Sequence, residues 1–187
     1  PWKTSLEIIK NRPDFAQFQW SFMACGLGLM ILQPAIPLLF HDVLHLSYTD
    51  FAIARSICQR IGFILASPFW GKALNQKSFF SVTKSVCVGF ALFTLLLCLS
   101  PFHLTALYMA YFIYGVAQAG SQLIWHLSGP YFAKEEESSR YSGVNIACVG
   151  VRGIIGPPLG GILLGLSGLF PLLAMSIGLS FAGYYFL

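Results

Sequence analysis

Apolar residues fall in six long runs, at about 15 to 40, 50 to 70, 79 to 100, 104 to 132, 142 to 166 and 169 to 187. A helix needs about 20 mostly apolar residues to cross a hydrocarbon layer of about 30 Å, so each run is near the length of one span. Brief separators with turn or charge signals stand between them: His41 to Tyr48, Gly71 to Ser78, Ser100 to His103, Lys134 to Arg140 and Gly165 to Gly168. Connections this short force neighbouring helices antiparallel. The pattern predicts an all-α integral membrane fold, a six-transmembrane-helix bundle over 15–187 behind a short segment, 1–14. That segment mixes Trp2, Leu6, Ile8 and Ile9 with Lys3, Glu7 and Lys10. It suits an amphipathic stretch lying along a cytoplasmic interface as well as it suits a plain linker.

Composition strengthens this picture. Of 187 residues, 56% are hydrophobic and 10% charged, and the mean hydropathy is +0.70. A soluble domain carries roughly a quarter charged residues. No length remains for a separate soluble domain. The five cysteines, Cys25, Cys58, Cys87, Cys98 and Cys148, all fall inside apolar runs, without disulfide or metal-ligand spacing. The chain starts at Pro1 and stops at Leu187 inside an apolar run, as expected of a fragment of a longer protein without a signal peptide.

The net charge of +4 matters less than where the charges stand, and no nucleic-acid partner is expected from it. Lys3, Lys10 and Arg12 precede the first run, Lys72 and Lys77 follow the second, and Lys134 and Arg140 follow the fourth. The alternate separators hold no lysine or arginine. Positive residues in short loops stay on the cytoplasmic side, so the N-terminal side and the second and fourth loops are predicted cytoplasmic, in a plasma or bacterial inner membrane. Lys84, a turn and a half into the third run, can reach the same side along its stem.

Two stretches carry a family resemblance. In the fifth run, Gly156-Pro157-Pro158-Leu159-Gly160-Gly161 combines small residues, which let helices approach closely, with prolines, which bend a helix. Spacing of the GxxxG kind is frequent in membrane helices generally, so the position in the fifth of six runs matters. After the second run stands Gly71-Lys72-Ala73-Leu74-Asn75-Gln76-Lys77. The chain resembles one half of a major facilitator superfamily transporter, whose fifth helix carries GPxxGG and whose second loop carries GxxxD followed by basic residues. Here Asn75 and Gln76 replace the acidic and basic residues of the second motif, which weakens any charge latch built on Gly71, Asn75 and Lys77. In the fourth run, Tyr111 to Gln118 is similar to a family stretch that holds arginine at the place of Tyr111 in the first half, which points to the C-terminal half.

The resemblance implies a fold of three helices plus three in an inverted repeat, and a secondary active transporter that moves a small solute by alternating access. The N-terminal six-helix half, the lipid bilayer, a small-molecule substrate and a coupling ion are the partners it implies. It also places the first, second, fourth and fifth helices around the central cavity and turns the third and sixth to lipid. Gly156, Pro157, Gly160 and Gly161 would serve the conformational change.

Polar groups in hydrocarbon demand a partner, water or a function, so the inventory inside the runs is the guide to mechanism. Arg60 lies ten residues beyond Asp50, about 15 Å down a helix, and Arg152 lies twelve beyond Arg140, at a similar depth. A guanidinium matches a carboxylate or phosphate, so both arginines are candidates to attract an anionic or polar solute; each would otherwise pair with backbone carbonyls or a carboxylate of the missing half. Arg55, nearer the outer end, can reach the interface. Asn145 shares a stripe with Arg152, while Gln118, Gln122, Trp125 and His126 form another, and Gln33 lies beside Pro34 and Pro37. Such stripes bind solute or join helices. No aspartate or glutamate lies within a run, so proton coupling through a carboxylate would use the other half. Glu135, Glu136 and Glu137 with Arg140 either form a solvated loop or join Lys72 and Lys77 in a network.

An enzyme is not expected. His41-Asp42-Val43-Leu44-His45 has histidines four apart, but it lies in a short outward loop and lacks the glutamate and third ligand of a zinc site. No glycine-rich phosphate loop precedes a helix, and no cofactor is implied. A six-span channel or a nontransporting receptor or scaffold is the alternative, against which stands the lack of a filter-like loop.

Overall fold

Every apolar run forms helix, and no strand occurs among the residues described by the computed structural model, 2–134 and 137–187. A lead-in helix, α1 (Trp2–Asn11), ends where Arg12 and Pro13 turn the chain into α2 (Pro13–Ile31). The first run then breaks. Pro34 has no N–H to offer the Met30 carbonyl, which accepts from Gln33 N at 3.2 Å instead. The chain resumes through a 42° bend as α3 (Ala35–Leu38) and a π-helical turn, Leu39–Val43. Ser47 starts the next rod by accepting from Asp50 N at 3.2 Å, while its own N–H donates to the Asp50 carboxylate. That rod joins α4 (Tyr48–Ala52), a second π-helical stretch, Ile53–Cys58, and α5 (Gln59–Gln76).

The remaining rods are α6 (Phe79–Leu99), α7 (Leu104–Ala133), α8 (Ser138–Ser167) and α9 (Leu169–Tyr185). Ser78 caps α6 by accepting from Ser81 N. Only Gly168 separates α8 from α9, at φ +82°, a backbone conformation that side chains with a Cβ avoid. Helices α6 and α8 are long and apolar enough to cross a membrane, and the bent pair α2 and α3 makes a third if taken as one span. Helices α5 and α7, with Arg60, Gln118 and Gln122 inside them, are not in that set, and α9 is shorter.

The rods pack in a definite order. Helix α2 lies against α8 and α9, α5 against α7, and α6 between α7 and α9, with α7 also touching α8. Small residues sit where backbones come closest. A Cβ on Gly62 would meet the Phe112 carbonyl, and one on Gly115 would meet the Gln59 carbonyl, so α5 and α7 press backbone to backbone. A Cβ on Gly160 would likewise meet the Ile31 backbone of α2.

Two apolar clusters hold the ends. Phe15, Phe18, Phe79, Phe132 and Tyr141 pack at the end bearing the basic connections, with Phe15 ring centroids 5.0 Å from Tyr141 and 5.2 Å from Phe132. Arg12 ties the lead-in to this cluster, donating to Asp14 at 3.1 and 3.0 Å and to the Tyr141 hydroxyl at 3.0 Å. Leu32, Leu39, Phe40, Phe93, Leu97 and Leu107 pack at the opposite end. Cavities remain between the two clusters. The lead-in is helical, with Ile8 and Ile9 against the core and Glu7 and Lys10 exposed. Lys84 Nζ lies 5.3 Å from the Tyr184 ring centroid. Glu135 and Glu136 lie outside the described residues, and with them the loop network drawn to Lys72 and Lys77.

Candidate functional site

Arg152 lies on α8 one turn before Gly156 and two before Gly160, on the face that closes against α2. Because those glycines bring the helices together, the long side chain beside them has to lie in the seam. Its guanidinium rests against Gly26, where a Cβ would overlap it. Nη1 donates to the Phe22 carbonyl at 2.8 Å, and Cζ stands 5.2 Å from the Phe22 ring centroid. Arg152 is only 8% exposed, and its Nε has no hydrogen-bond partner. A buried donor left unpaired is costly, which makes this Nε a candidate contact for a ligand.

The guanidinium borders a cavity of about 250 Å³. Phe22, Cys25, Met30 and Gln33 line it from the first rod, Gln118, Ser121 and Gln122 from α7, and Thr83, Val86, Cys87 and Phe90 from α6. The third rod therefore supplies the back wall with one face, while Val88, Leu92, Leu95 and Leu99 stay exposed on the other. The resemblance implied a helix turned to lipid, whereas one face of this rod lines the cavity.

A second cavity, of about 170 Å³, adjoins the first and shares Leu29, Gln33, Tyr114 and Gln118 with it. Arg55, Gln59 and Tyr111 line its far part. Gln59 Nε2 donates to Gln118 Oε1 at 2.7 Å, which bridges α5 and α7 at the waist. Tyr111 is 2% exposed and its hydroxyl has no partner. Arg55 belongs to the π-helical stretch Ile53–Cys58, and its Cζ lies 5.5 Å from the Phe51 ring centroid. Among the described residues no carboxylate lines either cavity, so arginine sets the sign of both.

The candidates read from sequence separate into groups. Arg152, Gln33, Gln118 and Gln122 come together at the first cavity. Trp125 stands behind it, stacked on Phe22 with ring centroids 5.7 Å apart. Asn145, 2% exposed, accepts from Gln19 Nε2 and donates to Ser128 Oγ, which ties α8 to α2 and α7. Arg60 is exposed among Ile57, Ile61 and Ile64 and lines neither cavity. Asn75 and Lys77 are exposed at the basic end of α5, and the Cβ position of Gly71 meets nothing. Gly156 and Gly160 face α2, Gly161 meets nothing, and α8 runs unbroken through Pro157 and Pro158.

Sequence reasoning passed over Gly26, Gln59 and the cavity role of Arg55 and Tyr111. The π-helical register of Ile53–Cys58, which turns Arg55 toward the cavity, has no signature in the spacing of the run. The place of Gly26 beneath a guanidinium has no local signature.

Comparison with curated proteins and with solved structures finds no match. A family model described as Major Facilitator Superfamily matches residues 18–187, which takes in every residue lining the two cavities. The chain belongs to the Major Facilitator Superfamily, a superfamily of membrane transporters.

Proposed function

We propose that this chain is one six-span half of a secondary active transporter that carries a small anionic solute by alternating access. The observation that carries the reading is Arg152: a buried guanidinium with an unpartnered Nε, bordering a cavity without carboxylates. In a low-dielectric site a fixed positive charge attracts an anion far more strongly than in water, and its planar donors suit a carboxylate or phosphate. The glutamines at positions 33, 118 and 122 would orient the solute's remaining polar groups.

The packing order supports a repeat of three rods plus three. Exchanging the first three rods with the last three turns the contact of α2 with α9 into that of α7 with α6. The same exchange turns α2 with α8 into α7 with α5, and the contact of α6 with α9 into itself. The contact of α7 with α8 has no such counterpart among the stronger pairs. With antiparallel neighbours, a repeat of three helices is necessarily inverted.

In this reading the basic end is cytoplasmic. The N-terminal half covers the exposed faces of the second rod and of α8, which carry Ile57, Ile61 and Ile64 and Ile146, Ile154 and Ile155. A coupling ion acts through that half, since among the described residues no acidic side chain lines the cavities here. Transport is directional because solute affinity differs between the two access states.

The test is uptake of radiolabelled organic anions by the full-length protein in proteoliposomes. Arg152→Gln should lower uptake by roughly ten- to hundredfold, the loss of a hydrogen bond to a charged group. Unchanged uptake at equal reconstituted amounts would remove Arg152 from the solute site.

A further inference from the structure

The two cavities adjoin across the shared residues Leu29, Gln33, Tyr114 and Gln118 and are treated together as one elongated cleft. Together they are lined along α7 from Tyr111 to Ile124 and along the first rod from Phe22 to Ile36, about 20 Å in each case. Each end holds an arginine and a buried polar atom without a partner. At one end these are the guanidinium of Arg152 and its own Nε. At the other they are Arg55 and the hydroxyl of Tyr111. Among the described residues, buried side-chain atoms lacking a partner occur at only one further place, Gln19 Oε1. Two of three orphaned atoms thus border this one cleft, at opposite ends.

The wall they share is mixed, with Leu29 and Tyr114 together with Gln33 and Gln118. Arg152 lies against Gly26, whereas Arg55 lines the cavity beside Leu32 and Ile36. The six to ten residues from Gly26 to Leu32 and Ile36 correspond to about 9 to 15 Å of helical rise between the two ends. Arg55 also sits in a π-helical stretch, a local irregularity that frequently marks functional positions.

We propose that the cleft is a bipartite site for an elongated dianion, with a carboxylate or phosphate at each end of a spacer of about 10 Å. Arg152 holds one end, Arg55 with Tyr111 holds the other, and the spacer passes Leu29 and Tyr114. This rests on the anion-transport reading and adds to it the length and valence of the solute. Arg152 is buried while Arg55 is exposed on its outer side; a single acidic group can engage only one of them, so a second acidic group adds affinity only at the right separation.

The experiment is titration calorimetry on the purified full-length protein with succinate, suberate and octanoate. Suberate places its carboxylates near the required separation, succinate is too short, and octanoate has the same chain length with one carboxylate. Suberate should bind roughly ten- to hundredfold more tightly than either. Arg55→Gln and Arg152→Gln should each bring suberate down to the affinity of octanoate for the unsubstituted protein, and Tyr111→Phe should weaken suberate several-fold. Size-exclusion profiles establish that each variant is folded. Suberate binding no better than octanoate, with both dependent on Arg152, would overturn the bipartite site and leave the anion reading standing. If no anion bound in an Arg152-dependent way, both would fall.

Discussion

Arg152 and Arg60 have the same chemistry and a similar expected depth, yet they occupy opposite kinds of place. Arg152 is 8% exposed in the seam between α8 and α2, and Arg60 is exposed outside both cavities. The difference follows from the glycines that set each crossing. Arg152 stands four and eight residues before Gly156 and Gly160, so it shares their face. Arg60 stands two residues before Gly62, about 200° around the helix, and points away from the crossing that Gly62 makes with α7. Depth in an apolar run says how costly a charge is. The packing face says which environment answers that cost.

Glutamine at each position breaks or sharpens this contrast most directly. Arg152→Gln should reduce anion uptake by roughly ten- to hundredfold, whereas Arg60→Gln should reduce it less than about threefold. Equal losses, measured as initial rates in proteoliposomes, would place Arg60 in the solute path as well. Gly26→Ala comes next, because it keeps the charge and moves it. The added methyl overlaps the guanidinium, a flexible group that can shift, so uptake should fall several-fold with little change in melting temperature. Gly160→Ala meets the Ile31 backbone instead and should cost about 1 to 3 kcal/mol of stability. A melting temperature lowered more by Gly26→Ala than by Gly160→Ala would contradict the assignment of one glycine to the site and the other to packing.

Asn145 lies on the stripe of Arg152 but is occupied by Gln19 and Ser128. Asn145→Ala should lower stability by about 0.6 kcal/mol, up to about 1.7, the range of interhelical hydrogen bonds in membranes. Uptake per folded molecule should hold; a selective loss of uptake would move Asn145 into the solute site.

The smallest effect belongs to a guanidinium that has a carboxylate beside it. Arg12 holds the Asp14 carboxyl below its ordinary value of 3.8, chiefly through their hydrogen bonds. A lowered carboxylate pKa stabilises the fold above the ordinary value, and that contribution disappears as pH falls through the lowered one. The pair is partly exposed and worth less than about 1 kcal/mol. Melting temperature followed from pH 6 downward should lose slightly less in Asp14→Asn than in the parent protein. An equal acid slope in both would mean that the pair adds nothing.

The helices were legible because they depend on local quantities. Apolar runs of membrane length, proline at the bend near Gln33 and a lone glycine at 168 are all properties of neighbouring residues. Gly156 and Gly160 could be read as packing residues for the same reason. The cleft was legible only in part. Gln33, Gln118 and Gln122 were recognised as polar groups in apolar surroundings, and the structure places them at one cavity. Asn145 had the same signal and is engaged in joining three rods, since a polar residue in a run reads alike whether its partner is a helix or a solute. Tyr111 was noticed for the arginine it replaces, but its unpartnered hydroxyl was not foreseeable.

By itself the sequence determined the helical class, the order of the rods, the end that carries the basic residues and the place of each arginine inside an apolar run. These follow from periodicity, chain length and the cost of charge in hydrocarbon. Only the tertiary structure decided that Arg152 lies over Gly26, that Arg55 joins the same cleft and that Arg60 does not. Each of those facts depends on how two helices rotate about their own axes when they pack, and that rotation is set by contacts between residues far apart in the chain.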